Sequence, residues 1–269
     1  MERMAFSKPQ EIMEQSINAG VAKTKIPLPA LLILGFLGGA FISLGFLLDI
    51  RVIGNLPAEW GSFGTFIGAA VFPIGLILVI LAGGELITGN MMSVSMALFS
   101  KRISLMQLAT NWFWVLLSNF VGALFVAYFF GHIVGLTETG PFLDKTVAMA
   151  GAKIDDTFMQ TLISAIGCNW LVCLAVWLSY GAHDFAGKIL AIWFPIMAFV
   201  AIGFQHVVAN MFLIPAAIFA GSYTWMDFIG NIIPAFIGNV IGGAIFVGLA
   251  YFMSYEKKDN QEVQLKKVS

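Results

Sequence analysis

The sequence contains one histidine inside an apolar segment, His206, whereas His132 and His183 lie at loops. Ionisable side chains are rare within a bilayer, where they usually serve a function. Imidazole titrates close to physiological pH. His206 can therefore either hold an anion in its charged form or protonate a weak-acid anion and pass it on neutral, and we expect it to line a transport pathway.

Two polar stretches, 83–90 and 203–210, interrupt long apolar segments. A helix that restarts after such a break presents unpaired N–H groups and a partial positive charge. Asn90 and Asn210 are expected to cap these restarts through their side chains. Two restarts that face each other would favour an anion without placing a full positive charge in the membrane. The alternative is that the two asparagines only satisfy backbone hydrogen bonds at the breaks.

Other residues within the apolar segments leave more than one interpretation open. Glu85 pairs with a partner, lies at a more hydrated level of the membrane or contacts a substrate. Asn169 either bonds a neighbouring helix or faces a pore. From periodicity alone, four large apolar residues would simply be packing residues. If they surrounded a pore, they would gate it by dewetting. These residues are Phe72, Leu76, Leu86 and Phe199.

The composition excludes most soluble proteins. Of 269 residues, 59% are hydrophobic and 11% are charged, and the mean hydropathy is +0.89. Average soluble chains carry roughly 25% charged residues. The net charge of −1 gives no indication of nucleic-acid binding. We therefore expect a polytopic membrane protein whose surroundings are the lipid bilayer.

Six apolar runs are long enough to cross a bilayer as helices, which need roughly 20 residues each. They cover about 30–48, 62–99, 106–130, 158–180, 189–220 and 226–253. The runs do not alternate, so helices are favoured over a barrel. We predict an all-α membrane domain over 30–253, with a cytoplasmic segment 1–29 before it and a cytoplasmic tail 254–269 after it.

Lysines and arginines are distributed unequally between the two sides of this predicted domain. Eleven lie in the two termini and in the loops on their side, and three lie on the other side: Arg51, Lys145 and Lys153. Cytoplasmic loops carry the excess of such residues. We therefore expect an even number of crossings of the cell membrane, with both termini in the cytoplasm.

Two of the six runs are too long for one straight crossing. Residues 62–99 would extend about 57 Å and residues 189–220 about 48 Å, against a hydrocarbon core of about 30 Å. Each run contains one of the polar stretches described above. We therefore expect the second and fifth helices to break where they line a cavity.

A shift of 120 residues aligns the two halves of the chain without a gap. Eight identities occur between 85 and 125, and three of them pair asparagines: Asn90 with Asn210, Asn111 with Asn231 and Asn119 with Asn239. The halves, about 30–130 and 158–253, have three crossings each and must enter the membrane from opposite faces. The pattern predicts an inverted 3+3 repeat; the alternative is a coincidence between apolar sequences.

Motifs of intramembrane enzymes are missing from the sequence, which has neither His-Glu-x-x-His nor Gly-x-Ser-x-Gly. Cys168 and Cys173 lie five apart in one apolar run and cannot bridge each other within a helix. Metal-ligating residues do not cluster. We expect no catalytic residues, no metal and no cofactor.

Three segments of the chain resemble the formate/nitrite transporter family. They are Glu-Leu-Ile-Thr-Gly-Asn-Met at 85–91, Cys-Asn-Trp-Leu-Val-Cys-Leu-Ala-Val-Trp at 168–177 and Gly-Phe-Gln-His-Val-Val-Ala-Asn-Met-Phe-Leu-Ile-Pro at 203–215. The resemblance covers about residues 8–253. It implies an aquaporin-like fold of six spans, assembled as a homopentamer with one pore per protomer, and transport of formate, nitrite or hydrosulfide.

The same resemblance implies roles for individual residues. His206 corresponds to the central pore histidine, and Asn210 follows it as in the family. Thr88 corresponds to a threonine on a mobile loop that contacts the histidine region. Asn169 corresponds to a pore asparagine, and Lys153 to a vestibule lysine that draws in anions. The constriction residues of the family correspond to Phe72, Leu76 and Phe199, with Leu86 nearby.

One residue departs from the family pattern. Some formate channels have an acid directly before the histidine, where this chain has Gln205. A neutral neighbour removes one stabiliser of a charged imidazole, so the proton coupling that those relatives imply has less support in this sequence. Formate is expected ahead of nitrite and hydrosulfide because Thr-Gly-Asn-Met at 88–91 resembles formate-type members.

A pore of the aquaporin type for neutral solutes is the competing interpretation. That class has two Asn-Pro-Ala turns, and the matching positions here read Gly89-Asn90-Met91 and Ala209-Asn210-Met211. A buried histidine has no obvious role in a water pore. The residues therefore favour an anion pathway.

Overall fold

The computed structural model describes residues 6–256, so the expectations for residues 1–5 and 257–269 lie outside it. Within this part the chain forms ten helices and one isolated β-bridge, between Phe6 and Ala182. In chain order the helices are α1 Pro9–Lys23, α2 Leu28–Ile53, α3 Ala58–Gly83, α4 Ile87–Phe99, α5 Leu105–Ile133, α6 Pro141–Ile154, α7 Phe158–Gly181, α8 Phe185–Ile202, α9 Val207–Phe219 and α10 Trp225–Tyr255.

Six of these helices are long and apolar enough to cross a membrane, namely α2, α3, α5, α7, α8 and α10. The predicted number of spans is therefore confirmed. The second apolar run is divided into α3 and α4, and the fifth into α8 and α9, which confirms the two predicted breaks. Helices α4 and α9 have 13 residues each.

Both breaks use the same backbone geometry, 120 residues apart. The first half-helix ends at a glycine with positive φ, which is 103° at Gly83 and 86° at Gly203. Glycine is favoured there because L side chains rarely adopt this conformation. The next three residues are extended before the helix restarts at Ile87 and Val207. The repeat seen in the sequence is therefore also a repeat of the fold.

Close helix contacts frame each half in the same way. Helix α2 packs against α5, and α7 packs against α10. A Cβ at Gly39 or Gly122 would overlap the backbone of the facing helix, as it would at Gly238 or Gly242 in the second half. Small residues allow such close approach between membrane helices.

The two short helices form the centre of the molecule, where residues 87–97 of α4 and 207–217 of α9 are all buried. Helix α1 packs on α4, and α6 packs on α9. Each covering helix begins with a proline, Pro9 or Pro141, whose missing N–H would be unpaired in a first turn. The sequence did not indicate either covering helix.

Candidate functional site

Two cavities enter the protein from the α6 side and from the α1 side. The Lys153 cavity has a volume of about 300 Å³ and is lined by residues that include Asp49, Phe72, Lys145, Lys153, Phe199, His206 and Asn210. The Lys23 cavity has a volume of about 280 Å³ and is lined by residues that include Lys23, Leu76, Glu85, Leu86, Asn90, Ser179 and Tyr180. Within residues 6–256 the two cavities share no lining residue.

Apolar side chains lie between the two cavities. Phe72 and Phe199 are buried and meet edge to face, with ring centroids 5.6 Å apart. Leu76 and Leu86 are buried on the side of the Lys23 cavity. The four residues expected to form constrictions therefore lie where the cavities approach each other. Their gating role stays a prediction.

His206 links the two restarting helices. It is the N-cap residue of α9, and its Nδ1 accepts a hydrogen bond from the backbone N–H of Ala209 at 3.1 Å. Its Nε2 lies 3.1 Å from the Oγ1 of Thr88, in the first turn of α4. Because Nδ1 is an acceptor, the neutral ring carries its proton on Nε2, which can donate to Thr88. The ring also stacks on Phe199, with centroids 5.7 Å apart.

The break between α3 and α4 is held by an ion pair. Lys23 Nζ donates to Glu85 Oε1 at 2.6 Å, and both side chains are largely buried. Asn90 Nδ2 donates to Glu85 Oε2 at 2.8 Å and to Asn111 Oδ1 at 3.0 Å. Asn111 Nδ2 in turn donates to the carbonyl of Lys23 at 3.2 Å. Glu85 therefore pairs with a partner, which was one of its open interpretations.

The break between α8 and α9 repeats this network with one change of charge. Asn210 Nδ2 donates to Gln205 Oε1 and to Asn231 Oδ1, both at 2.7 Å, and Asn231 Nδ2 donates to the carbonyl of Lys153 at 2.8 Å. Gln205 occupies the position of Glu85. Its Nε2 donates to the carbonyl of Lys153 at 3.1 Å and to Asp156 Oδ2 at 2.8 Å.

Among residues 6–256, Lys153 consequently has no carboxylate partner equivalent to that of Lys23. Its Nζ donates to the carbonyls of Gly203, at 2.7 Å, and Phe204, at 3.0 Å. Burial lowers the pKa of this ammonium group, while Asp156 and Asp49 act in the opposite direction. The group lines its cavity at the end of α6, and the vestibule role that the resemblance implies for it stays a prediction.

The expectation that Asn90 and Asn210 cap the restarting helices is wrong. The N-cap residues are Leu86 and His206, one turn earlier. The first free N–H groups, of Ile87 and Val207, instead donate to Asn119 Oδ1 and Asn239 Oδ1 at 2.9 Å each. Asn90 and Asn210 lie within their helices, so their side chains do not reach the N–H groups of Ile87 and Val207. They donate instead to Glu85 and Gln205.

Thr88 and Asn169 are completely buried and line neither cavity within the described residues. Asn169 Nδ2 donates to the carbonyl of Asn239 at 2.7 Å and to that of Thr88 at 3.2 Å. Asn169 therefore makes the interhelical hydrogen bonds that were one of its two interpretations. In this structure its amide donors hold the backbone that carries Thr88.

Sequence reasoning did not assign functions to Lys23, Asn111 or Asn119. Asn111 and Asn119 were present among the identities of the repeat, which is the signal that could have revealed them. Lys23 was harder to detect because it relates to Lys153 by 130 residues rather than 120. The first half is longer between these positions, since α3 has 26 residues and α8 has 18.

A six-span helical bundle that contains two cavities, with buried polar residues at two helix breaks, has the architecture of a membrane channel or transporter. The family model described as Formate/nitrite transporter matches residues 10–253. The chain belongs to the formate/nitrite transporter family and is a multi-pass membrane protein. The resemblance drawn from its three motifs is confirmed.

Individual relatives cover nearly the whole chain. The transporter YrhG of Bacillus subtilis (strain 168) is 74% identical, over 99% of this chain and 100% of its own length. Formate channel BtFdhC of Bacillus thuringiensis is 66% identical, over 95% of this chain and 98% of its own length. A solved structure described as a pentameric formate channel with formate bound has a TM-score of 0.74 and 28% identity, over 86% of this chain and 98% of its own.

Proposed function

We propose that this chain is a formate channel in which each protomer of a homopentamer holds one pathway. The observation that carries the proposal is the Thr88–His206 contact, buried between two cavities that each hold a lysine. Relatives named as formate channels support formate as the anion. Nitrite and hydrosulfide, which are also small and monovalent, are the competing substrates.

Anions are first attracted into the Lys153 cavity by Lys145 and Lys153, which both line it. Two lysines against the one acid Asp49 leave an excess of positive charge along this cavity, and such an excess raises the local concentration of anions. Phe72 and Phe199 then require the anion to lose water before it reaches the centre. The Lys23 cavity holds a neutralised lysine, so it offers weaker attraction.

At the centre the anion replaces the Thr88 hydroxyl as the acceptor of the His206 Nε2–H. The restarts of α4 and α9 add their partial positive charges at the same place. Protonation of His206 requires that Nδ1 release the N–H of Ala209 and creates a cation at a helix N-terminus, where cations are disfavoured. His206 therefore acts as a neutral donor, and proton coupling requires that this hydrogen bond open.

Membrane placement follows from the charge distribution along the chain. We infer that both termini are cytoplasmic, so that the Lys23 cavity opens to the cytoplasm and the Lys153 cavity to the outside. The channel domain covers about 30–253 between terminal segments 1–29 and 254–269. Membership in a family of transporters supports a role without covalent catalysis.

The test is uptake into proteoliposomes of the purified protein that contain an internal pH dye. Formate, nitrite, hydrosulfide and glycerol are compared with protein-free vesicles. Formate uptake above the control supports the proposal, and internal acidification in excess of the control would show proton-linked transport. Uptake of glycerol without uptake of any of the three anions would reject the proposal in favour of a neutral-solute pore.

A further inference from the structure

Asp49 is a buried acid that the pathway described above does not use. It lies near the end of α2, is 1% exposed and lines the Lys153 cavity. Acids inside membrane spans are rare and usually functional. Arg51, two residues further on, does not pair with Asp49, because its guanidinium group lies over the ring of Phe142.

One oxygen of the Asp49 carboxyl has no partner. Oδ1 is buried and makes no hydrogen bond to any residue in 6–256. It lies against Gly68 of α3, where a Cβ would overlap it. A buried ionised carboxylate with an unpaired oxygen is costly, whereas the protonated form has a donor to offer. The site therefore changes its hydrogen-bonding character when Asp49 gains a proton.

Charged neighbours of Asp49 come from one helix. Lys145 and Lys153 of α6 act on the carboxyl electrostatically. Helices α3 and α8 contribute uncharged residues to the cavity, and α9 contributes the titratable His206. An anion in this cavity therefore meets two lysines and one acid.

The corresponding position in the Lys23 cavity holds no acid. The offset of 130 residues that relates Lys23 to Lys153 relates Asp49 to Ser179, which lines the Lys23 cavity. Ser179 Oγ donates to the carbonyl of Val176 at 2.7 Å. Glu85, the acid of that cavity, is already bound to Lys23. An unpaired acid thus belongs to one of the two cavities only.

We propose that Asp49 is a proton-dependent specificity residue of the Lys153 cavity. This role rests on the anion transport proposed above. In its protonated form the Asp49 O–H donates a hydrogen bond to the oxygen of an incoming carboxylate that Lys145 and Lys153 attract. In its ionised form it repels that anion. The proton exchanges with water and stays on Asp49 while the anion passes, so no proton is transferred to the substrate.

The test is exchange of labelled formate in proteoliposomes with equal formate and equal pH on both sides, which removes the driving force of a proton gradient. Wild type is compared with Asp49→Asn between about pH 5 and pH 8. We expect exchange by Asp49→Asn at the alkaline end to rise about three- to tenfold, because a repelling charge is removed. Exchange at the acidic end should change little.

Lys153 cannot produce this rise. Asp49 favours the charged form of Lys153, so its removal lowers the charge on that lysine and would reduce anion binding. Asp49→Glu should restore a steep pH dependence. Asp144→Asn removes an acid from the same face of the protein, on α6, outside the cavity, and should behave as wild type.

Asp49→Ser repeats the measurement with the residue that the other half of the fold carries at this position, in case the amide disturbs folding. An unchanged pH profile in both Asp49→Asn and Asp49→Ser would overturn the proposal. Equal shifts in Asp49→Asn and Asp144→Asn would overturn it as well, because they would show a general surface-charge effect. Failure of wild type to exchange formate above protein-free vesicles would instead reject the proposed function, and the role of Asp49 with it.

Discussion

The break at 83–86 and the break at 203–206 have the same geometry and different electrostatics. The first N–H of each restarting helix donates to an asparagine in the third span of its half. Each half also contains a hydrogen-bonded pair of asparagines, Asn90 with Asn111 and Asn210 with Asn231. Glu85 neutralises Lys23, whereas Lys153, beside Gln205, donates only to carbonyls within the part of the chain that the structure describes. The backbone therefore needs these hydrogen bonds at each break, whereas the charge of residue 85 or 205 beside it can vary independently.

A consequence of this difference is directional asymmetry in a symmetric scaffold. The lysine without a carboxylate partner lines the cavity that also holds Lys145 and Asp49. Attraction of anions and its control by protons, as proposed above, would thus be concentrated on one side. Substitutions at four positions test this difference between the two breaks, and they follow in order of decreasing expected effect.

The largest effect is expected when the ion pair of the first break is removed. Glu85→Ala leaves Lys23 without its carboxylate and Asn90 without one of its acceptors, and should destabilise the protein by about 3 kcal/mol. Heat-induced loss of the folded protein in detergent, followed by size-exclusion chromatography, measures this. Glu14→Ala is the control, since its pair with Arg102 is more than 40% exposed and should contribute about 0.2–1 kcal/mol. Equal losses would contradict the expectation.

A smaller loss of stability is expected when the break between α8 and α9 is given the acidic residue of the break between α3 and α4. Gln205→Glu replaces an amide donor by an acceptor that faces Asp156 and the carbonyl of Lys153, and should cost about 1–3 kcal/mol. Adding Asp156→Asn supplies a donor and should restore most of the stability in the same thermal assay. Wild-type stability of the single variant would show instead that the two breaks are interchangeable.

His206 differs from Leu86, its equivalent in the first half, by two hydrogen bonds. His206→Leu should lose the cap to Ala209, about 1 kcal/mol, whereas His206→Asn should keep it. Both variants lack the Nε2–H and should exchange formate about tenfold more slowly. Because His206 acts as a neutral donor and Asp49 is proposed to set the pH dependence, the pH profile of His206→Asn between about pH 5 and pH 8 should keep its wild-type shape. A flattened profile would show instead that His206 titrates during transport.

The smallest effect is expected from the unpaired lysine. Lys153→Ala should reduce formate uptake about threefold at low ionic strength and less at high salt, because salt screens attraction at a distance. Its lowered pKa means that Lys153 loses its charge earlier than an exposed lysine as pH rises, so the difference from wild type should shrink at alkaline pH. Lys188→Ala, outside both cavities, is the control. An equal loss at every salt concentration would argue against electrostatic recruitment.

Much of the fold could be predicted because membrane spans depend on local composition. The six apolar runs, the two over-long segments and the pairs of asparagines are all properties of nearby residues. The prediction for Asn90 and Asn210 was wrong because capping depends on where a helix begins to within one residue. The roles of Asn119 and Asn239 require helices from distant parts of the sequence to pack at the break.

The sequence by itself determined the number of spans, the positions of the breaks, the repeat and the family, because a bilayer forces apolar length and polar interruptions to be visible along the chain. Only the tertiary structure decided which charges are paired. Glu85 meets Lys23 across 62 residues, and Thr88 meets His206 across 118. Asp49 Oδ1 has no hydrogen-bond partner among residues 6–256, in a cavity lined by five helices. These outcomes depend on distances between side chains in space, since electrostatic and hydrogen-bond energies depend on atomic separation rather than on position in the chain.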